Sequence, residues 1–403
     1  MDRHQFGLSG PCESRWCCTL PRVYLVSVFF RQNKPNYEVA HRTKLPHVDK
    51  GDWRDRRRDE ESRDFVIETQ QACSLGTESK SSWQEEMRAA FRTVERLCEH
   101  LGLNPSEHAS IAAARDFPLF APWPYVRRIR PGDPADPLLL QILPVPDETK
   151  SVPGFSDDPL AETAATMRPG LLQKYDRRVL LVTTGACAIH CRYCFRRSFP
   201  YADVPNSISD WQDSIDAIAE DPSIDEVILS GGDPLMLVDS TLTQLIDAIS
   251  QIEHVSRLRI HTRLPIVIPS RVTDSLVGML GDARPQTIVV LHANHPDELD
   301  TEVEQAIDRL SSARINLLNQ SVLLRGVNDS VQCMESLCRK LVNLGILPYY
   351  MHQLDRVNGA AHFEVGKDEG RKIVESLRER LPGYAVPTYV EELPGHASKK
   401  PIA

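Results

Sequence analysis

Residues 178–194 read RVLLVTTGACAIHCRYC, a β-branched run followed at once by a loop with three cysteines. The run has the length and the apolar composition of a buried strand. Cys187, Cys191 and Cys194 crowd into this one loop, whereas the whole chain of 403 residues has ten cysteines. The stretch therefore predicts a strand whose end carries a metal site.

Short strand patterns alternate with amphipathic helical patterns from this stretch onward. Strands are predicted at residues 179–183, 226–230, 258–261, 287–291, 315–319 and 347–351. This alternation is typical of a parallel sheet with right-handed crossovers. No predicted strand is followed by a GxGxxG motif, which disfavours a dinucleotide-binding sheet. We therefore predict an α/β fold, a partial (β/α)6 TIM-like barrel with an N-terminal helical extension.

Residues with useful chemistry follow the ends of these predicted strands. They are the cysteine loop, then Gly231, Gly232 and Asp233, then His261 and Arg263, His292, Gln320, and finally His352 and Asp355. In β/α barrels the active site is built at the carboxyl ends of the strands. The pattern predicts one active site at that face of the barrel.

The first part of the chain differs from the rest in composition. Residues 1–65 show no helical or strand period, and they are predicted to be disordered or a non-native extension. Residues 66–165 form a predicted N-terminal helical region, and residues 166–403 hold the barrel and a C-terminal segment. The helical pattern consists of Met87, Phe91, Val94, Leu97 and Leu101 at three- and four-residue spacing.

Bulk composition excludes several classes of protein. The net charge of −9 argues against a general nucleic-acid binder, which normally has a basic face. Ten cysteines are too dilute for a disulfide scaffold in a chain of this length. The apolar run at residues 23–30 is too short to span a membrane and lacks a convincing cleavage site. We predict a cytoplasmic protein with neither nucleic acid nor membrane as a partner.

Three thiolates in one loop suit an iron–sulfur cluster. Cubane clusters usually take four cysteines, so three leave one iron open to bind and reduce a substrate. A tetrahedral zinc site is the alternative, but it needs a fourth ligand, and His190 lies too close to Cys191 in the chain to serve well. A set of buried thiols without any metal is a third interpretation.

The spacing Cys187-x3-Cys191-x2-Cys194, with Tyr193 before the last cysteine, resembles the radical S-adenosylmethionine superfamily. The resemblance implies a [4Fe-4S] cluster whose open iron chelates S-adenosylmethionine. An electron from the cluster then releases a 5′-deoxyadenosyl radical. Gly231, Gly232 and Asp233 resemble the glycine-rich strand end of the superfamily, where backbone carbonyls approach the methionine ammonium.

A closer resemblance covers nearly all of residues 83–403. Residues 187–201, 319–329 and 348–355 resemble the lysine 2,3-aminomutases, most closely the short form that serves β-lysylation of elongation factor P. These enzymes also use pyridoxal 5′-phosphate, which carries the difficult amino migration. By the family pattern Lys399, counted back from Pro401, forms the imine to this cofactor, with its neighbour Lys400 as the next candidate.

The resemblance also implies roles for residues around the cofactors and the substrate. Lys174 and Arg178 match the cations that bind the cofactor's phosphate. His292 and Gln320 match residues near S-adenosylmethionine or the pyridoxal ring. Arg196 matches the arginine that receives the substrate's α-carboxylate, for which a planar guanidinium is suited.

Two carboxylates match the family's binding site for the ε-ammonium of lysine. They are Asp355 and Glu392, but the family has aspartate at the second position. The additional methylene shifts the reach of the Glu392 carboxylate, and a geometry-dependent contact is sensitive to such a shift. The acidic pair still favours a cationic side chain, so arginine is an alternative substrate and glutamate is disfavoured.

The predicted function is isomerisation of free L-lysine to β-lysine by 2,3-amino migration. It needs a reducing electron donor, and the product is predicted to pass to a separate ligase that modifies elongation factor P. The alternatives are the same chemistry on another amino acid such as arginine, or a non-catalytic relative that binds a metal through its cysteines. The oligomeric state stays open.

Overall fold

Ten strands form one sheet within residues 82–403, the part of the chain that the computed structural model describes. They are β1 (Thr166–Arg168), β2 (Leu171–Tyr175), β3 (Arg178–Val182), β4 (Glu226–Ser230), β5 (Arg257–Thr262), β6 (Gln286–Leu291), β7 (Ile315–Val322), β8 (Leu347–His352), β9 (Thr388–Glu391) and β10 (Lys400–Pro401). Their order in the sheet is their order in the chain. The predicted extension at residues 1–65 lies outside the described residues.

Strands β3 to β9 run parallel, each beside the next. Antiparallel pairs with β1, β2 and β10 extend the two ends of the sheet. The six predicted strands correspond to β3 through β8, which confirms the partial TIM-like barrel. Strand β9 is a seventh parallel strand that the sequence patterns do not predict.

The register of the sheet brings the strand ends to one face. Val182 at the end of β3 pairs with Ser230 at the end of β4, and Val322 of β7 pairs with His352 of β8. Strand β4 is buried along its whole length, as expected for a parallel strand covered on both faces. The loops that follow the strands therefore open on a common cavity.

Helices surround the sheet and form the N-terminal region. The α-helices are α1 (Trp83–Arg88), α2 (Val94–Leu101), α3 (Pro105–His108), α4 (Ile111–Asp116), α5 (Trp123–Val126), α6 (Pro137–Leu140), α7 (Ile208–Glu220), α8 (Asp239–Ser250), α9 (Leu264–Val267), α10 (Asp274–Asp282), α11 (Thr301–Ser311), α12 (Val331–Asn343) and α13 (Lys367–Arg380). The 3-10 helices are Pro146–Thr149, Glu162–Ala165, Tyr201–Asp203, Pro234–Met236, Pro269–Arg271, Pro296–Glu298, Ala361–Phe363 and Gly383–Ala385.

The crossover helices are amphipathic, and α7, α10, α11 and α12 begin at capping side chains. Helix α12 buries Met334, Leu337 and Leu341, whose spacing places them on one side. The Ser330 side chain accepts a hydrogen bond from the backbone of Cys333 and caps the helix. Each such helix covers the sheet with its apolar face.

The N-terminal region corrects one sequence-based expectation. The pattern from Met87 to Leu101 predicts continuous helix, but the structure has two helices, α1 and α2, with a break between them. Phe91 in the break exchanges two backbone hydrogen bonds with Ala121. The Thr93 side chain then caps the start of α2. This non-local pairing ends the first helix, and a periodic pattern does not encode it.

An ion pair buried in the interior joins the N-terminal region to the cysteine loop. Arg192 lies in that loop and is fully buried, and its Nη2 lies 2.6 Å from the Glu148 carboxylate. The guanidinium also donates to the carbonyls of Phe117 and Ala113. The described residues 82–403 lie in one compact unit, while the predicted division at residues 165/166 stays a prediction.

Among the described residues, no helix combines the length and the apolar character needed to cross a membrane.

Candidate active site

A cavity of about 410 Å³ lies at the carboxyl ends of the parallel strands. All the site residues predicted from the sequence line it, namely Lys174, Arg178, Cys187, Cys191, Cys194, Arg196, Gly231, Gly232, Asp233, His292, Gln320, Asp355, Glu392 and Lys399. These residues lie on or after strands β2, β3, β4, β6, β7, β8 and β9 and in the C-terminal segment. The fold thus brings together groups that are more than two hundred residues apart in the chain.

His190 anchors the cysteine loop to the N-terminal region. Its Nδ1 lies 2.8 Å from the carbonyl of Pro118, and its backbone N–H donates to the carbonyl of Phe120. The ring stacks on Phe117 with centroids 5.0 Å apart. Burial lowers the pKa of His190, which favours the neutral ring. These contacts hold the loop in place, a role different from that of a fourth metal ligand.

The three thiols are close enough to influence one another electrostatically. Burial raises the pKa of Cys187 well above its usual value, and the charge of Cys194 adds to this effect. Burial also raises the pKa of Cys194 to about 11, with a contribution from Cys191. Three thiolates in this position therefore need a positive centre to balance them.

The donor set fits an iron–sulfur cluster, because thiolates are the soft ligands that such clusters use. Within residues 82–403, no group of three or more His, Cys, Asp and Glu side chains forms a ready-made site for a metal ion.

Gly231 and Gly232 bring the end of β4 against the start of the cysteine loop. Gly231 has φ +130°, and a Cβ there would lie 2.5 Å from the carbonyl oxygen of Thr184. A Cβ on Gly232 would lie 2.3 Å from the carbonyl oxygen of Ala186. The Gly232 N–H donates to the Thr184 carbonyl at 2.7 Å. Here the glycines are required for contact between two backbones of the protein itself.

Asp233 ties the same loop to the next strand. Its carboxylate accepts hydrogen bonds from the Thr262 hydroxyl and from the backbone N–H groups of Arg263, Leu264 and Leu235. Burial raises the pKa of Asp233 to about 6 despite these donors. Because protein groups satisfy the carboxylate, Asp233 fixes the loop geometry.

Charges of alternating sign form a continuous row along the cavity. The row runs Arg196, Glu162, Lys174, Glu392, Lys399. Glu162 accepts from Nε and Nη2 of Arg196 at 2.7 and 2.8 Å, and Lys174 Nζ lies 3.0 Å from its Oε1. Lys174 Nζ also lies 2.9 Å from Glu392, which in turn contacts Lys399 Nζ. Every charge in the row is thus balanced by its neighbours.

The carboxylates of this row stay ionised. Burial acts to raise the pKa of Glu162, but Arg196 and Lys174 outweigh it and hold the pKa below its usual value. Burial likewise acts on Glu392, and there Lys399 and Lys174 hold the pKa at about 2.

The pKa of Asp355 is shifted in the opposite direction from those of Glu162 and Glu392. Burial, reinforced by the charge of Glu392, raises the pKa of Asp355 to about 7. Its carboxylate has no hydrogen-bond or ion-pair partner elsewhere in residues 82–403. A half-buried carboxylate without a partner is unfavourable, so a cation that entered this end of the cavity would be bound favourably.

Neutral histidines line the middle of the cavity. His292 Nε2 lies 2.8 Å from Nε2 of Gln320, and burial together with nearby arginines lowers the pKa of His292 to about 3. His261 Nε2 and His352 Nε2 are buried and have no hydrogen-bond partner among the described residues. Buried polar atoms normally have partners, so these nitrogens indicate room for a polar ligand.

Arg178 is a free cation at the rim of the site. Its guanidinium lies over the Tyr175 ring at 4.8 Å, and it forms no ion pair within residues 82–403. Lys174 and Arg178, both predicted phosphate ligands, therefore differ: Arg178 is available to an anion, while Lys174 is already paired with Glu162 and Glu392.

Two residues of the site have no role in the sequence analysis. Glu162 lies in the 3-10 helix Glu162–Ala165, inside an irregular connection that has no periodic pattern. Arg263 follows β5, a position apparent from the sequence, but no motif or family match assigns it a function. The only sequence signal for either is a charged residue near a strand end or a strand start, which is too common to be specific.

The geometry and the comparisons with known proteins agree on the class of protein. A cysteine loop after the first parallel strand of a partial β/α barrel defines a radical S-adenosylmethionine enzyme, and residues 181–341 match the family model described as the Radical SAM superfamily. A [4Fe-4S] cluster and S-adenosylmethionine are the cofactors of this superfamily.

Sequence similarity to known proteins identifies one family within this class. The chain is 43% identical to L-lysine 2,3-aminomutase of Escherichia coli (strain K12) over 331 residues, which are 82% of this chain and 96% of the relative. It is 44% identical to the enzyme of the same name from Haemophilus influenzae over 321 residues, 79% and 95% of the two chains. The enzyme of that name from Clostridium subterminale is 38% identical over 324 residues, 80% and 78%. The chain belongs to the lysine 2,3-aminomutase family of isomerases, which confirms the predicted family.

Proposed function

We propose that the protein converts free L-lysine to β-lysine by 2,3-amino migration, with S-adenosylmethionine and pyridoxal 5′-phosphate. The observation that supports this function best is the pattern of charges in the cavity of a member of this family. Arg196 lies at one end, and the unpartnered Asp355 carboxylate lies near Glu392 at the other. Such a cavity is complementary to a molecule with a carboxylate and a distant ammonium, as lysine is.

Different residues of the chain bind the iron–sulfur cluster and pyridoxal 5′-phosphate. Cys187, Cys191 and Cys194 hold the cluster, Lys399 attaches the pyridoxal group, and Arg178 binds its phosphate. When bound, the cluster supplies the electron that cleaves S-adenosylmethionine, and the pyridoxal group supplies the π-system through which the amino group migrates. His261 and His352 Nε2 are the buried atoms that can exchange hydrogen bonds with bound ligands.

Arg196 is positioned to bind the substrate's carboxylate even though it already holds Glu162. A guanidinium has five N–H donors. Glu162 takes one from Nε and one from Nη2, and Ser230 takes one from Nη1. One donor remains on each Nη nitrogen, and these two suit a second carboxylate. Glu162 therefore orients the guanidinium and leaves its outer edge to the substrate.

Glu392 and Asp355 bind the substrate's distant ammonium. Glu392 is now shared by Lys174 and Lys399. A cofactor attached to Lys399 would withdraw that lysine from Glu392. Glu392 and Asp355 would then be the carboxylates available to the substrate's ammonium, which would compensate their mutual repulsion.

The wider setting is proposed from the family resemblance. A cytoplasmic location, an external reductant and transfer of the product by a separate ligase to elongation factor P agree with the short form of the family. Arginine is a second candidate substrate, because two carboxylates also suit a guanidinium, which is larger than an ammonium.

Product analysis under anaerobic conditions tests the proposal. The protein is reconstituted with iron, sulfide and pyridoxal 5′-phosphate, reduced with dithionite in the presence of S-adenosylmethionine, and offered lysine, arginine or glutamate separately. We expect β-lysine from lysine, detected by mass spectrometry, and no product from glutamate. A fully loaded protein that rearranges arginine and not lysine would identify the other substrate, and one that rearranges neither would contradict the proposal.

A matched pair of variants tests the attachment residue. Lys399 lines the cavity, whereas the adjacent Lys400 is exposed and lies 3.5 Å from Glu391. We expect Lys399→Ala to lose the pyridoxal absorbance and Lys400→Ala to keep it. The reverse result would move the attachment to Lys400.

A further inference from the structure

Arg263 lies behind the cysteine loop in a buried polar network. Its Nη1 lies 2.7 Å from the Cys191 sulfur and 2.6 Å from the Tyr193 hydroxyl. Its Nη2 lies 2.7 Å from Gln141 Oε1 and 2.8 Å from Glu298 Oε2. Arg263 is only 6% exposed. A guanidinium in this position is therefore directed at one cluster ligand by its other contacts.

We propose that Arg263 is a positioning residue that fixes Cys191 and raises the reduction potential of the cluster, while Glu298 limits that rise. The inference rests on the part of the proposed function that places the cluster on the three cysteines. It adds two residues that neither the family model nor the sequence motif assigns to the cluster.

Cys191 is distinguished from the other two cysteines by this contact. Within residues 82–403, it alone of the three receives a hydrogen bond from a side chain. Hydrogen bonds to the sulfurs and charges near the cluster are known determinants of iron–sulfur potentials. Arg263 supplies both a hydrogen bond and a positive charge to the Cys191 sulfur.

The guanidinium is held rigidly from several directions. The Asp233 carboxylate accepts a hydrogen bond from the backbone N–H of Arg263 at 2.8 Å. Asn294 Nδ2 donates to the Tyr193 hydroxyl and to Gln141 Oε1, which are two of the groups that Arg263 contacts. Because its neighbours come from several separate segments of the chain, the side chain cannot turn away from Cys191 without breaking several buried hydrogen bonds.

Glu298 balances the charge of Arg263. It is fully buried, and its carboxylate also accepts from Gln141 Nε2 and from the backbone N–H of Asn294. Burial acts to raise the pKa of Glu298, but Arg263 outweighs it and keeps the carboxylate ionised. Removing one charge of this pair therefore leaves the other to act on the cluster at low dielectric.

The sign of each effect follows from the electron balance. One electron passes from an external one-electron donor, dithionite in the assay, to the cluster, and no bond is formed or broken in this step. The cluster becomes more negative by one charge. A nearby cation and a donor to its sulfur stabilise the reduced form, whereas a nearby carboxylate destabilises it.

Potentiometric titration of reconstituted variants tests the inference. The variants are Arg263→Gln, Glu298→Gln and the double variant, each followed by electron paramagnetic resonance of the reduced cluster without S-adenosylmethionine. At the wild-type midpoint potential, we expect Arg263→Gln to lower the ratio of reduced to oxidised cluster on the order of tenfold. Glu298→Gln should raise that ratio, and the double variant should lie between them.

Opposite signs distinguish electrostatic tuning from a purely structural role, since damage to packing would not raise the potential in one variant and lower it in another. Arg263→Lys, which keeps the charge, is the additional variant should Arg263→Gln fail to fold. Iron content is measured first. A wild-type protein that takes up no cluster contradicts the proposed function, whereas equal potentials in fully loaded variants overturn this inference alone.

Discussion

Glu162 controls how Arg196 faces the cavity, because it occupies the Nε side of the guanidinium and contacts Lys174 as well. One carboxylate thus sets the position of the group proposed for the substrate's carboxylate and of a cation near the proposed phosphate site. A small displacement of such a group weakens binding strongly. Replacing Glu162 therefore tests how the orientation of Arg196 affects substrate binding without removing the Arg196 charge itself.

We expect Glu162→Gln to raise KM for lysine by about tenfold with a smaller change in kcat, because Arg196 loses its charged partner but remains in place. Steady-state kinetics under anaerobic conditions measure both constants. The matched control is Glu391→Gln, a buried carboxylate that pairs with Lys367 and Lys400 but does not line the cavity. Equal effects on KM in the two variants would contradict the assigned role.

The raised pKa of Asp355, about 7, predicts a pH dependence. An ammonium binds to the ionised carboxylate, so KM for lysine should fall as the pH rises through about 7. The same group destabilises the ligand-free protein in that range: its folded pKa lies above the unfolded value, so its stabilising contribution is lost as the pH rises through the folded pKa.

Asp355→Asn tests both consequences. The variant should bind lysine poorly and lose the inflection of KM near pH 7. Its ligand-free form should melt at a higher temperature than the wild type at pH 8, because no buried carboxyl has to ionise. A wild-type KM that does not vary between pH 6 and pH 8 would contradict the assignment of Asp355 to the substrate's ammonium.

At the level of elements, the end of β4 and the cysteine loop depend on each other. The backbone of Gly232 lies against the carbonyl of Ala186, immediately before Cys187. We expect Gly232→Ala to fold, with unchanged far-ultraviolet circular dichroism, and to take up much less iron, because a Cβ 2.3 Å from that oxygen displaces the loop. Iron and sulfide analysis after reconstitution measures the loss.

Gly278→Ala is the control for this substitution. Gly278 lies in helix α10, where a Cβ would meet no atom within 4 Å. Alanine there should leave cluster loading unchanged and stabilise the protein by about 1 kcal/mol. If both alanine variants load the cluster normally, the close contact of Gly232 is not needed for the site.

Elements that carry a local period are those that the sequence predicts. Strands β3 to β8 are short β-branched or alternating runs between amphipathic helices, so their positions follow from the local pattern. Strand β9 has only four residues, which is the lower limit of the length over which an alternating pattern is recognisable. The break between α1 and α2 depends on the pairing of Phe91 with Ala121, which joins residues thirty apart.

The residues of the candidate site also differ in whether the sequence predicts them. The cysteines were identified by their spacing, and Lys399, Arg196 and Asp355 by family resemblance. Glu162 has no such mark, because its function depends on the two cations that the fold places beside it. The sequence also does not show that Lys174 is already paired with two carboxylates, since those carboxylates come from distant segments.

Considered as a whole, the molecule has the N-terminal region joined to the barrel through the cysteine loop itself. Arg192 lies between two of the proposed cluster ligands, and both oxygens of Glu148 accept from its guanidinium. Both side chains are almost fully buried. The stability of the domain and the geometry of the cluster site are therefore linked through Glu148, which also pairs with Arg197 at 3.1 Å.

We expect Glu148→Gln to lower the free energy of unfolding by about 3–5 kcal/mol, because it leaves the Arg192 charge buried and uncompensated. Denaturant unfolding measures this change, and reconstitution should show reduced cluster loading in the same variant. Glu335→Gln is the control: Glu335 pairs with Arg339 on the surface of α12, where solvent screens the pair, so unfolding and loading should stay as in the wild type. Loss of stability with full loading would mean that the ion pair supports the fold without positioning the cysteines.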